Sequence, residues 1–269
     1  MAVAERIMFF SPKLPVSEED RIWVNEGFRR LEKVVGRRRM LEAKVVEPTA
    51  EDFPDPYGQS AEAVEKLFSR VCAYMKVDRS TIELQIFPDE TEELKEILPS
   101  WNCGGGSHAA GLYLHGHESE RSSERDRRML VALRSSLLNE PMALVATAAH
   151  ELGHVILLGG ELMRPDADDH EPMTDLLTVF LGLGIFTANS AAHFKQFQDE
   201  RRQGWSMQRL GYLAEPVFGY ALACFARERG ESKPAWARHL STNVRAHFKN
   251  SSRWLDENPD YVPMAKPIG

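Results

Sequence analysis

The sequence predicts an α+β protein: a small mixed sheet packed on one long apolar helix, followed by a mostly helical C-terminal part. Three observations carry this. Residues 82–87 alternate apolar and polar with the period of a half-buried strand, and 130–133 form a short unbroken apolar run, the pattern of a strand covered on both faces. From 141 to about 158, apolar residues surround a helix on most of its sides. Beyond residue 206 the apolar residues recur at helical spacing. The expected division is an α/β part over 1–160, ending in the long helix, and a mostly helical part over 161–269.

Each element follows from local chemistry. Pro12 and Pro15 interrupt the entry segment, and Ser17 with Glu18, Glu19 and Asp20 then starts a helix that carries Val24, Phe28 and Leu31 on one face until Gly36. Leu41, Val45 and Val46 give 40–47 a strand-like composition before Pro48. A proline-rich loop through Tyr57 leads to Ser60, which caps an amphipathic helix through Val64, Phe68, Val71 and Met75. Residues 91–98 read as a short acidic turn or helix, and Gly104, Gly105 and Gly106 as a loop feeding a short strand at 111–114. The charged stretch 118–128 reads as an exposed excursion. Asn139 or Glu140 with Pro141 opens the long helix, and Gly159-Gly160 stops it. Asp168 or Asp169 caps the next helix, in which Gly182 and Gly184 permit either a close helix approach or termination. Helices then open at Glu215-Pro216 and at Pro234, and the tail from Pro259 reads as extended.

The chemistry lies in the long helix, which contains His150-Glu151-Leu152-Gly153-His154. Residues four apart project from one helical face, so two neutral imidazoles can hold one Zn²⁺, with Glu151 beside them as a general base. The surrounding helix is so apolar that unpaired polar groups would be costly there, and a bound cation removes that cost. A third ligand is expected on the following helix, where Glu171 and Asp175 are again four apart; Glu171, Asp175 and His170 are the candidates.

From 148 to about 186 these residues resemble the gluzincins, the thermolysin-like zinc metallopeptidases. The resemblance implies a zincin-like fold and a zinc-dependent peptidase acting on peptide or protein substrates. It implies His150, His154 and Glu171 as ligands, with Asp175 accepting a hydrogen bond from the outer nitrogen of His150. Glu151 would move the proton, and Tyr212 would steady the oxyanion, with Tyr220 and His193 as alternatives. The strand at 111–114 is the candidate for the sheet edge that pairs with an extended substrate in that family, the alternative being an ordinary interior strand. Two features depart from the family: His170 stands where asparagine is usual, and the connection between the helices is short. The metzincin pattern is absent, because Leu157 and Gly160 occupy the positions where it requires glycine and histidine.

Composition narrows the alternatives. The net charge is −7 over 269 residues, which argues against a nonspecific nucleic-acid or membrane-surface binder. The cluster Arg29, Arg30, Lys33, Arg37, Arg38 and Arg39 reads as a solvated helix face before it reads as an anion site. Cys72, Cys103 and Cys224 are too few and too scattered for a disulfide framework, and the N-terminus lacks a secretory pattern, so a cytoplasmic setting is expected. No run comes close to the roughly twenty apolar residues of a membrane span; the longest is 176–188. His108, His115 and His117 read as ordinary exposed histidines. The competing interpretation is a non-catalytic interaction protein in which zinc is structural; it requires a fourth protein ligand such as Cys103 or His170. The sequence leaves the oligomeric state open.

Overall fold

A computed structural model describes residues 13–87, 129–164, 167–191 and 213–261 in full, and the backbone of 111–114 and 192–198. Its architecture is α+β with mostly helical content. Helix α1, Glu18–Leu31, starts where expected: the Ser17 hydroxyl accepts the Asp20 N–H at 3.0 Å, and Val24, Phe28 and Leu31 are buried. Its last turn widens through Glu32–Gly36. Gly36, at φ 98°, then lets the chain restart as α2, Arg37–Leu41. The strand expected over 40–47 is therefore absent. Met40 and Leu41 end a helical turn, and Arg229 Nη1 donates to the carbonyls of Met40, Leu41 and Ala43 at 2.8–3.0 Å, which takes up those acceptors before any strand partner can.

Helix α3, Ala61–Met75, is capped by Ser60, whose hydroxyl accepts from Ala63 N–H at 3.1 Å. Strands β1, Ile82–Phe87, β2, Gly111–Leu114, and β3, Met129–Arg134, form one mixed sheet in the order β1-β3-β2. β1 runs parallel to β3 with Ile82 opposite Met129, and β2 runs antiparallel to it with Gly111 opposite Leu133. The central strand is the one whose residues 130–133 are all buried, which is why it reads as a continuous apolar run. β2 lies at an edge of the sheet.

Helix α4, Pro141–His154, passes through the middle of the molecule and ends in a widened turn, Val155–Gly159. It packs against α3, against β2 and β3, and against the helices α5, His170–Phe180, and α6, Gly184–Gln198. Every residue from Leu144 to His154 is buried, so apolarity on all sides is the signature of a central helix. Residues 141–159 are in fact long and apolar enough to cross a membrane, contrary to the expectation that no run is; most of that stretch is enclosed by the protein's own core. Helix α5 ends at Gly182, φ 86°, where Gly182 N–H reaches the Val179 carbonyl at 3.1 Å and Leu183 N–H that of Thr178 at 2.9 Å. Of the two roles expected for Gly182, the structure shows termination.

The C-terminal helices are α7, Glu215–Glu228, and α8, Thr242–Glu257, packed against each other. Pro234 opens only a short 3₁₀ turn, Ala235–His239; α8 starts afresh at Ser241, whose hydroxyl accepts Val244 N–H at 3.4 Å. One buried apolar cluster runs from Val24 in α1 through α4 to Leu255 in α8. The basic cluster is stitched into this frame: Arg30 pairs with Asp169, Arg37 with Glu228 at 2.8 Å, Arg38 with Glu42 at 2.6 Å, and Arg39 donates to the Met75 carbonyl.

Candidate metal centre

Helix α4 offers His150 and His154, one turn apart, and α5 crosses it so that Glu171, Thr174 and Asp175, spaced three and four residues, face them. The support of each ring is explicit. His150 Nδ1 lies 2.9 Å from Asp175 Oδ1, and a carboxylate can only accept, so Nδ1 carries the proton. The Thr174 hydroxyl donates to the His170 carbonyl at 2.8 Å; toward His154 Nδ1, 3.3 Å away, it can then only accept, so that nitrogen is protonated too. These hydrogen bonds assign the tautomers.

In the neutral rings both Nε2 atoms are then acceptors, and they lie close to one another. His150 Nε2 lies 3.1 Å from His154 Nε2; Glu171 Oε2 lies 2.9 Å from the first and 3.4 Å from the second. Three acceptors closing a triangle with no donor among them repel unless a cation sits between them. Ligands about 2.0–2.1 Å from a tetrahedral zinc would be about 3.3 Å apart, so the edges of this triangle fit the donor set to that ion. Without metal a proton takes its place. Burial works against a charged His150, yet its hydrogen bonds to Asp175 and Glu171 hold its pKa well above the ordinary value. Burial likewise opposes ionisation of Glu171, and the three surrounding histidines outweigh it and hold the carboxyl well below its usual range. Burial pushes the pKa of His154 down, with Glu171 opposing the shift and His150 adding to it.

His150 and His154 are almost fully enclosed, whereas the Glu171 side chain is 29% exposed. Glu151 is buried and has no hydrogen-bond partner among the described residues. Burial, helped by the charge of Glu171 and opposed by His150, pushes its pKa up to about 8. A buried carboxyl with a raised pKa is one of the marks by which a candidate general base is recognised.

Of the three candidates for third ligand, Glu171 faces both Nε2 atoms, Asp175 stands behind His150, and His170 turns aside. His170 Nδ1 donates to the Ala167 carbonyl at 2.9 Å and its Nε2 lies 3.2 Å from Glu171 Oε1. Among the described residues no fourth side chain joins the group formed by His150, His154 and Glu171. The cap expected of Asp169 is not made by its carboxylate, which pairs with Arg30 instead. Tyr220 is removed as an oxyanion donor: it lies in the core, where its hydroxyl donates to Asn25 Oδ1 at 3.0 Å. Tyr212 lies outside the described residues, as do Cys103, His108, His115 and His117, and so does the side chain of His193. The residue after Tyr212 is described, and its backbone reaches the site: Leu213 N–H donates to Asp175 Oδ2 at 2.8 Å. Sequence reasoning missed Thr174. Its only signal was a polar residue three positions after Glu171 among Met173, Leu176 and Leu177. Comparisons with family models, curated proteins and solved structures return no match to this chain.

Proposed function

We propose that this protein is a zinc-dependent metallopeptidase of gluzincin type, with His150, His154 and Glu171 holding the metal and Glu151 as general base. The observation that carries this reading is the triangle of His150 Nε2, His154 Nε2 and Glu171 Oε2, 2.9, 3.1 and 3.4 Å on its edges, with the buried Glu151 carboxyl next to it in sequence. Zinc held there would supply a Lewis acid and a water of lowered pKa.

The chain's own residues do the rest. Asp175 and Thr174 each hold the outer N–H of one histidine, which fixes both rings with Nε2 forward. Glu151 takes a proton on its carboxylate from the attacking water and returns it to the nitrogen of the leaving amine. Enclosure of that carboxylate raises its affinity for the proton it is to accept. β2, an outer strand among the described residues and packed on α4, is the segment we assign to substrate binding by strand addition.

The test is metal analysis of the purified protein together with digestion of a peptide library by wild type and Glu151→Gln. The expected result is stoichiometric zinc in both proteins and a loss of cleavage in the variant of about a hundredfold or more. Equal cleavage by the variant, or wild type that holds no metal after zinc loading, overturns the reading.

A further inference from the structure

Pro48, Pro54 and Pro56 stiffen the loop over 48–57, and three hydrogen bonds pin it in place. Glu47 N–H donates to Asp52 Oδ2 at 2.6 Å, the Tyr74 hydroxyl to the Asp52 carbonyl at 2.7 Å, and the Tyr57 hydroxyl to the Leu138 carbonyl at 3.0 Å. Between this loop, α3, the first turns of α4 and the start of α6 lies a cavity of about 310 Å³. That is the lower end of the range for small-molecule sites. Its walls are apolar, with Phe53, Leu67, Val145 and Phe186 among them, and Phe53 meets Phe186 edge to face at 5.6 Å. Val145 lies about 140° round α4 from His150 and about 180° from His154, so the cavity is separate from the metal group. One ion pair also lines it. Arg70 donates to Asp55 from Nε at 3.2 Å and from Nη2, and both bonds end on Oδ2, so the pair uses neither Arg70 Nη1 nor Asp55 Oδ1. The two side chains are 31% and 43% exposed, and they also line the open depression beside Lys66 and Ser69, which puts them where the cavity meets solvent.

We propose that this cavity binds a free apolar α-amino acid, its side chain in the aromatic-walled space, its carboxylate on Arg70 Nη1 and its ammonium on Asp55 Oδ1. An apolar space of this size takes a side chain such as that of leucine or phenylalanine. At its mouth a cationic donor and an anionic acceptor stand side by side, which matches the two charged ends of a zwitterion. A ligand with a carboxylate alone meets repulsion from Asp55, and one with an amine alone meets it from Arg70. Because the loop is pinned at Asp52 and Tyr57, the space is formed before a ligand arrives, and little ordering is needed on binding. The site is independent of the metal reading above.

The test is isothermal titration calorimetry of the full chain with L-phenylalanine and L-leucine, set against L-alanine, N-acetyl-L-phenylalanine and phenethylamine. Phenylalanine and leucine should bind saturably at one site. Alanine leaves the apolar space empty, and each of the two analogues lacks one charge, so all three should bind about tenfold or more weakly. Arg70→Gln and Asp55→Asn should each weaken phenylalanine binding by a similar factor. Ala50→Trp, which fills the cavity from an exposed position on its wall, should do the same. Melting temperatures report folding, and the ligand series, which needs no substitution, decides the matter if a variant is unfolded. The absence of saturable binding up to about 10 mM amino acid overturns the proposal. Binding that the two analogues match overturns it as well, because the zwitterion contact would then be missing. Binding that the folded variants leave unchanged, or that only one of the two charge variants weakens, places the ligand elsewhere and has the same force.

Discussion

Gly153 lies against Thr174 so closely that a Cβ added to it would stand 2.7 Å from Thr174 Cγ2 and 3.5 Å from the Thr174 carbonyl oxygen. The two helices of the centre meet at this contact. Thr174 has little freedom to yield, because turning its side chain would give up the bonds to His154 and to the His170 carbonyl.

Gly153→Ala should therefore separate α4 from α5. The helix gains up to about 1 kcal/mol from its better propensity, but overpacking a closed contact costs about 1–3 kcal/mol, so the net change is destabilising. The expected result is a lower melting temperature in the metal-free protein and weaker zinc binding. A variant more stable than wild type with unchanged zinc affinity would contradict the packing argument.

Removal of the two ring supports should have unequal effects. Asp175 gives His150 a charged acceptor and also holds Leu213 N–H, while Thr174 gives His154 a neutral one. Asp175→Asn should lower zinc affinity by about 10–100-fold, and Thr174→Val by about tenfold or less. Chelator competition at fixed pH measures both, and the reverse order would mean that charge is not what steadies His150.

Glu151 should make the metal-free protein pH-sensitive. Its pKa of about 8 in the fold lies above the ordinary 4.5, so the folded state retains a proton that the unfolded chain releases. Stability on this account falls as pH rises from about 4.5 to about 8 and is then flat. Glu151→Gln removes the penalty. The shift sets a ceiling of roughly 5 kcal/mol, and water entry on ionisation should reduce the observed gain to about 1–3 kcal/mol at pH 8, with little gain at pH 5. Urea denaturation of the metal-free proteins at the two pH values measures this; an equal gain at both would refute it.

What the sequence disclosed was whatever depends on spacing within one helix. His150 with His154, and Glu171 with Asp175, are pairs four apart, and helical geometry alone sets them on common faces. The continuous apolar run of β3 and the alternation in β1 were legible for the same reason. What stayed hidden depends on how elements cross. Thr174 and Gly153 matter only because α5 passes over α4 at that point. Met40 and Leu41 looked strand-like, but Arg229, distant in the chain, claims the carbonyls beside them. Tyr220 has the chemistry of an oxyanion donor, and its burial against Asn25 is a property of the assembled core.

Asp175 divides its two oxygens between His150 Nδ1 and the amide of Leu213, the residue that leads into α7. A single buried carboxylate thus fastens the His150 imidazole to the segment from which the C-terminal helices descend. On the proposed metal reading, filling or emptying the group formed by His150, His154 and Glu171 would change the load on that fastening, and so would be felt where the chain enters α7.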